Sequence, residues 1–231
     1  TLHTNGNGVV VTNVSYVTVN ELTYGNSGRW GQWSDGGGSS LELIDPRADN
    51  RFAANWADSD ESAKSSWTTI DFTGALDNGM TSAQGTPNRF EFFLQDAGEC
   101  LVDDLECRAG TGTNLITNPG FENGLTGWAF QGTHLKTYLE TGAAYAGTKS
   151  LHVVAVDRGD TGPNRIRSAI TTMPTSGNAT IRAKVRWLRG TRDILFRVRG
   201  NWIEAASVMD VPPNLGSPGL PNSRLVVNAG P

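Results

Sequence analysis

The chain has 231 residues, 37% of them hydrophobic, and a net charge of −4; this is enough apolar material for one large core or two smaller ones, and it excludes a chain disordered throughout. No apolar run approaches the ~20 residues that a membrane-crossing helix needs, and the opening TLHTNGNG has neither the basic nor the apolar region of a signal peptide, so an exported form would already have lost its leader. The chain is acidic overall and shows no recognised nucleic-acid-binding fold, which argues against nucleic acid as a partner.

Gly, Thr, Ser and Asn are abundant, Lys is scarce, and short β-branched runs recur between turn formers, as in an all-β chain. Residues 9–24 alternate apolar and polar positions around a turn expected at TNVS, giving a hairpin. GNSGRWGQWSDGGGSS is too glycine-rich for a regular element. LELI reads as a strand, FAANWADSDESAKSS as a short helix or a loop, and WTTIDF and FEFFL as strands on either side of a turn-rich stretch. CLVDDLEC closes the first half and RAGTGT reads as a linker. Beyond it, strands are expected near 115–117, 135–139, 151–156, 165–171, 179–187, 194–199 and 202–209, a spacing that suits an antiparallel sandwich. The tail 211–231 carries five prolines and cannot continue a central strand. A faint internal echo, SSLELID with KSLHVVA and WTTIDFTG with TIRAKVRWLRG, fits either two domains of common origin or generic alternation.

Residues 1–110 carry a net charge of −10 and residues 111–231 one of +6. Opposite fields of this kind let two domains pack together, or let one copy dock on the next; each half also suits a solvated surface of its own sign. Cys100 and Cys107 would lie on opposite faces of one straight strand because their spacing is odd. A bridge between them therefore needs a turn at VDD, and two buried thiols are the alternative.

NLITNPGFENGLTGW, residues 114–128, resembles the first strand of jelly-roll carbohydrate-binding modules of bacterial extracellular proteins, and the similarity extends over about 114–210. The resemblance implies sugar binding and a structural calcium, with Glu122 at the position of a calcium-ligating Glu. Glu204 and Asp210 do not match the partnering Asp cleanly, whereas Asp103 and Asp104 in CLVDDLEC resemble the closing strand of such modules and offer a cation site there. The first half, through WGQWSDGGGSSLELIDPRADNRFAANWADS, is similar to the later part of the lamin-tail-like immunoglobulin fold of large bacterial surface proteins, with its first strands missing before residue 1. The combined expectation is an all-β protein of two antiparallel sandwich domains: an acidic one at 1–110 lacking its first strands, a basic jelly-roll one at 111–210, and an extended tail at 211–231.

No His or Cys spacing suits a metal, no nucleophile motif occurs, and nothing locates two acids across a cleft, so the chain reads as non-catalytic. Sugar stacking would fall to exposed aromatics. Trp128 and Trp187 sit in core-like alternation and Trp56 is intermediate. Trp30 and Trp33 in the glycine-rich loop, together with Trp202, are the candidate contacts for a glycan or a neighbouring subunit. Arg182, Lys184 and Arg186 share one face of a strand, and Arg197 and Arg199 continue the habit, so five cations on one sheet face call for an anionic partner: an acidic polysaccharide or the acidic half of another copy. The sequons at Asn13 and Asn178 carry no argument in a chain so rich in Asn and Thr. The resulting reading is an extracellular or cell-surface β-sandwich that binds carbohydrate or mediates adhesion. Its alternative is a structural subunit joined head to tail by strand or tail exchange.

Overall fold

Alternation of inward apolar and outward polar side chains builds nearly all of the regular structure. A computed structural model describes residues 2–12, 18, 21–76, 88–170, 177–199 and 203–210, and among these there is no α-helix. Among the described residues, fourteen strands follow in chain order: β1 (Leu2–Thr4), β2 (Val10–Thr12), β3 (Leu41–Leu43), β4 (Trp56–Asp58), β5 (Thr68–Ala75), β6 (Arg89–Leu94), β7 (Gly98–Ala109), β8 (Trp128–Phe130), β9 (Tyr138–Glu140), β10 (Ser150–Ala155), β11 (Ile166–Ala169), β12 (Asn178–Gly190), β13 (Asp193–Arg199) and β14 (Ile203–Val208). Two five-stranded antiparallel sheets, β5-β12-β7-β10-β9 and β14-β13-β6-β11-β8, enclose the core. The pairs β1-β2 and β3-β4 are separate small hairpins.

The boundary expected at 110/111 does not divide the sheets. Strands from 68–109 and from 128–208 share both, because β7 is hydrogen-bonded between β10 and β12, and β6 between β11 and β13. The sandwich thus begins 46 residues before the NLITNPGFENG motif, at Thr68. A hairpin at residues 2–12 turns at residues 5–8, where Gly8 N–H bonds to Asn5 O; the hairpin expected over 9–24, with its turn at TNVS, falls mostly outside the described residues, as do Asn13, Trp202 and the tail. FAANWADSDESAKSS resolves into a single 3-10 turn, Ala53–Asn55, followed by β4 and a loop.

One irregularity explains how β7 faces the core. Between the pairs Arg182–Glu106 and Lys184–Asp103 the strand carries one extra residue, and Asp104 there has φ 45°. This bulge turns the following side chains over, so that Cys100, Val102, Leu105 and Cys107 all point inward. Both cysteines are buried free thiols, which decides between the two alternatives. Burial pushes both thiols up, Cys107 to about 12. They should resist alkylation in the native protein, and two equivalents should titrate only after denaturation.

The interior is aromatic at its centre. Phe92 stacks on Phe196 at 5.2 Å between ring centroids and meets Trp128 edge-on at 5.8 Å, while Phe121 lies 5.2 Å from Trp128. Truncating Phe92 to Ala is expected to cost about 3–5 kcal/mol in chemical denaturation, since a packed ring leaves a cavity. His134 is fully buried and its Nε2 accepts the Leu94 N–H at 3.1 Å. Burial lowers its pKa from the usual 6.5 to about 4. The unfolded chain therefore takes up this proton first, and stability falls as the pH drops from about 6.5 towards 4, by up to roughly 3 kcal/mol. His134→Gln, which keeps an acceptor, should flatten that part of a stability-versus-pH curve.

Candidate functional site

The expected five-cation face does not form, because β12 and β13 lie in different sheets. On the outer face of the first sheet, the acidic strands β5 and β7 flank β12 and answer its cations. Arg182 meets Asp71 at 2.5 Å and Glu106 at 3.6 Å; the bond to Asp71, with these charges, holds its guanidinium more firmly protonated. Lys184 donates to Thr69 Oγ1 at 2.7 Å and sits 4.5 Å over the Tyr145 ring. Arg186 donates to Ser65 Oγ and Ser62 O. Arg189, which the sequence reading passed over, bonds Glu99 at 2.7 Å. Burial works against the Glu99 charge, yet hydrogen bonds from His152 and Arg189 outweigh it and hold the carboxyl below its usual range. Arg197 and Arg199 stand on the outer face of the second sheet instead.

The motif at 114–128 is scaffold. Asn114 Oδ1 accepts from Cys107 N and Ile116 N, while its amide donates to Leu105 O at 2.8 Å, tying the segment to β7. Asn118 closes the following turn through Gly124 O and Thr126 O, and Trp128 Nε1 donates to Asn118 O at 3.0 Å. Phe121 and Trp128 are core residues. The residues that the resemblance offers as calcium ligands hold a loop by its backbone. Asp103 Oδ2 accepts from Tyr145 N and Ala146 N, and Glu122 Oε1 from Thr148 N and Lys149 N. Burial raises Asp103 against its backbone hydrogen bonds, whereas the Thr148 and Lys149 bonds lower Glu122. Among the described residues, no group of three or more His, Cys, Asp or Glu side chains converges on a metal position, and Asp104 joins the others only as the bulge residue.

The glycine-rich loop is where an open site forms. Gly38 has φ 95°, and a β-carbon there would stand 2.5 Å from the Trp187 ring, so only glycine lets the loop lie against the core tryptophan. Gly190 N–H bonds to Gly37 O, and the Trp33 ring packs against Gly190, with the Arg189 guanidinium 5.6 Å over it. Asp58 on β4 secures the loop by accepting from Trp33 N at 3.0 Å and Ser34 N at 2.8 Å. Packing therefore explains much of Trp33. Trp30 packs beside Trp56, with 6.4 Å between ring centroids. Between the loop and the turns at 96–97 and 190–191 a cleft of about 320 Å³ remains, lined by Trp33, Gln32, Asp35, Asp96, Ala97 and Thr191.

No protein-family model matches the chain, and neither a characterised protein nor a solved structure matches it. The site therefore stands on its geometry. Of the residues singled out in the sequence that lie among the described residues, only Trp33 reaches the cleft. Gln32, Asp35 and Asp96 gave no signal because nothing in the sequence brings residue 35 next to residue 96. Asp58→Ala should release the loop: limited proteolysis within 31–38 is expected to speed up while the sandwich melts within about 2 kcal/mol of the parent, the cost of a lost charge-assisted bond.

Proposed function

We propose that this protein is a non-catalytic carbohydrate-binding β-sandwich and that the cleft beside Trp33 takes a sugar ring. The cleft carries the reading: it joins the edge of an indole, two carboxylates and an amide with the exposed backbone of glycines, a set that hydrogen-bonds hydroxyls and packs against the apolar side of a pyranose. Its volume sits at the low end for ligand sites and suits one ring better than an extended chain. The wiring supports the same reading. With β5 taken first, the order β5-β12-β7-β10 opposite β6-β11-β8 is that of a jelly roll, the fold implied by the resemblance at 114–128, here started earlier in the chain. Work at a cell surface follows as part of the proposal. Head-to-tail assembly drew on the opposite charges of the two halves, on the missing first strands and on the tail; the opposite charges pair within one sandwich, the tail lies outside the described residues, and the cleft makes carbohydrate binding the reading proposed.

Because Trp33 also packs the loop, the test uses polar lining residues. Gln32→Ala and Asp35→Ala together should weaken glycan retention in affinity electrophoresis by about tenfold or more, with the melting curve unchanged. Glycans for the assay come from array screening of the parent protein. Retention undiminished in the double variant would overturn the cleft as the sugar site.

A further inference from the structure

The outer face of the second sheet carries an excess of arginine that the first sheet does not. Strand register sets it out in rows. Arg167 of β11, Glu91 of β6, Arg197 of β13 and Glu204 of β14 are successive cross-strand partners, and the next row pairs Arg89 with Arg199. Arg165, two residues before Arg167, points to the same side. Five guanidiniums thus share a face with two carboxylates.

Those carboxylates serve only part of the set. Glu91 is fully buried; its Oε2 lies 3.1 Å from Arg165 and 3.6 Å from Arg197, and Arg197 also reaches Glu204 at 3.4 Å. Glu91 Oε1 is buried too and accepts no hydrogen bond among the described residues. Arg165 further donates to Gln131 Oε1 and Thr161 O. Asp160, the acid in the loop beside Arg165, is occupied by Gly162 N, Asn164 N and the Asn164 amide. Among the described residues no ion pair reaches Arg89, Arg167 or Arg199, and all three are half-buried. Their repulsion is felt inside the cluster. Burial lowers the Arg165 pKa, Glu91 pulls it up, and Arg167, Arg199 and Arg197 push it down again. Like charges held this close on one sheet face destabilise it until an anion covers them. The protein itself shows which anion fits, since the centre of the cluster already holds one carboxylate between two guanidiniums, and the planar fork of arginine matches that group.

We infer that this arginine face binds the carboxylates of an acidic polysaccharide, a polyuronate, through Arg89, Arg167 and Arg199. The polymer class rests on the carbohydrate reading above; the charge and its placement rest on the sheet register. The face lies on the sheet opposite to Arg182, Lys184 and Arg186, and it leaves the cleft free for a neutral ring.

The test measures retention of the full chain on polygalacturonate, dextran sulfate and neutral dextran at low ionic strength. Polygalacturonate should retain the protein, added salt should release it, and Arg167→Gln with Arg199→Gln should weaken retention about tenfold or more. Arg167→Lys with Arg199→Lys keeps the charges without the fork and should fall between the two. Should the Gln pair not fold, Arg199→Gln alone, at the end of β13, serves in its place. Retention unchanged in a folded variant, retention on dextran sulfate alone, or salt-sensitive self-association without polygalacturonate binding would each overturn the inference. The Gln32 and Asp35 variant separates the two sites: it should keep polygalacturonate binding, so failure of the cleft leaves this face standing, and failure of this face leaves the cleft standing.

Discussion

The antiparallel pairing of β7 with β12 is the constraint on which the rest depends. These are the two longest strands, Gly98–Ala109 and Asn178–Gly190, and they occupy the middle of the first sheet. Across the pair Glu106 stands opposite Arg182 and Glu99 opposite Arg189. Like-signed neighbours within each strand thus become opposite-signed neighbours across the sheet. The charge segregation along the chain is resolved by this interleaving, and the same pairing brings the β12–β13 turn to the place where the glycine-rich loop docks. At partial exposure each surface pair contributes little to stability. Their value lies in register, because a slip of one residue would part Arg182 from Glu106 and turn Trp187 out of the core.

Much of the strand pattern was legible in the sequence. WTTIDF, TIRAKVRW and ILFRVR alternate cleanly, FEFFL is apolar nearly throughout, and all four fall in strands; Trp128 and Trp187 were recognisable as core residues by their place in such alternation. The partition was not legible. A linker-like RAGTGT and a change in the sign of charge suggested a domain boundary, whereas the sheets join strands more than one hundred residues apart, and a local pattern holds no information about such distant pairing. The cysteines misled for a related reason: spacing predicts facing only in a straight strand, and the bulge at Asp104 carries no sequence mark beyond an unremarkable Asp-Asp pair.

The candidate site was legible only in part, and the part that was visible had two meanings. An indole in a glycine-rich loop suggested a ligand, and Trp33 does line a cleft, but it also wedges between Gly37 and Gly190. The glycines exist for that docking as much as for any ligand. Gln32 and Asp35 stand in the same loop, but Asp96, which completes the cleft's polar lining, comes from a turn sixty residues away. Likewise the arginines of the second sheet collect from three strands, of which only β13 had attracted notice. Both sites are products of topology, and the sequence held their ingredients without their assembly.

The interleaving also sets an order of events for folding. Neither sheet is complete until β12, β13 and β14 are available, so β5, β6 and β7 have no lasting partners while the earlier part of the chain stands alone. FEFFL, with its consecutive phenylalanines, remains uncovered during that interval. High contact order of this kind slows folding and prolongs exposure of sticky segments. The acidic charge spread over residues 1–110 acts in that interval as a solubilising screen, keeping unfinished chains apart by repulsion until the basic strands arrive and neutralise it.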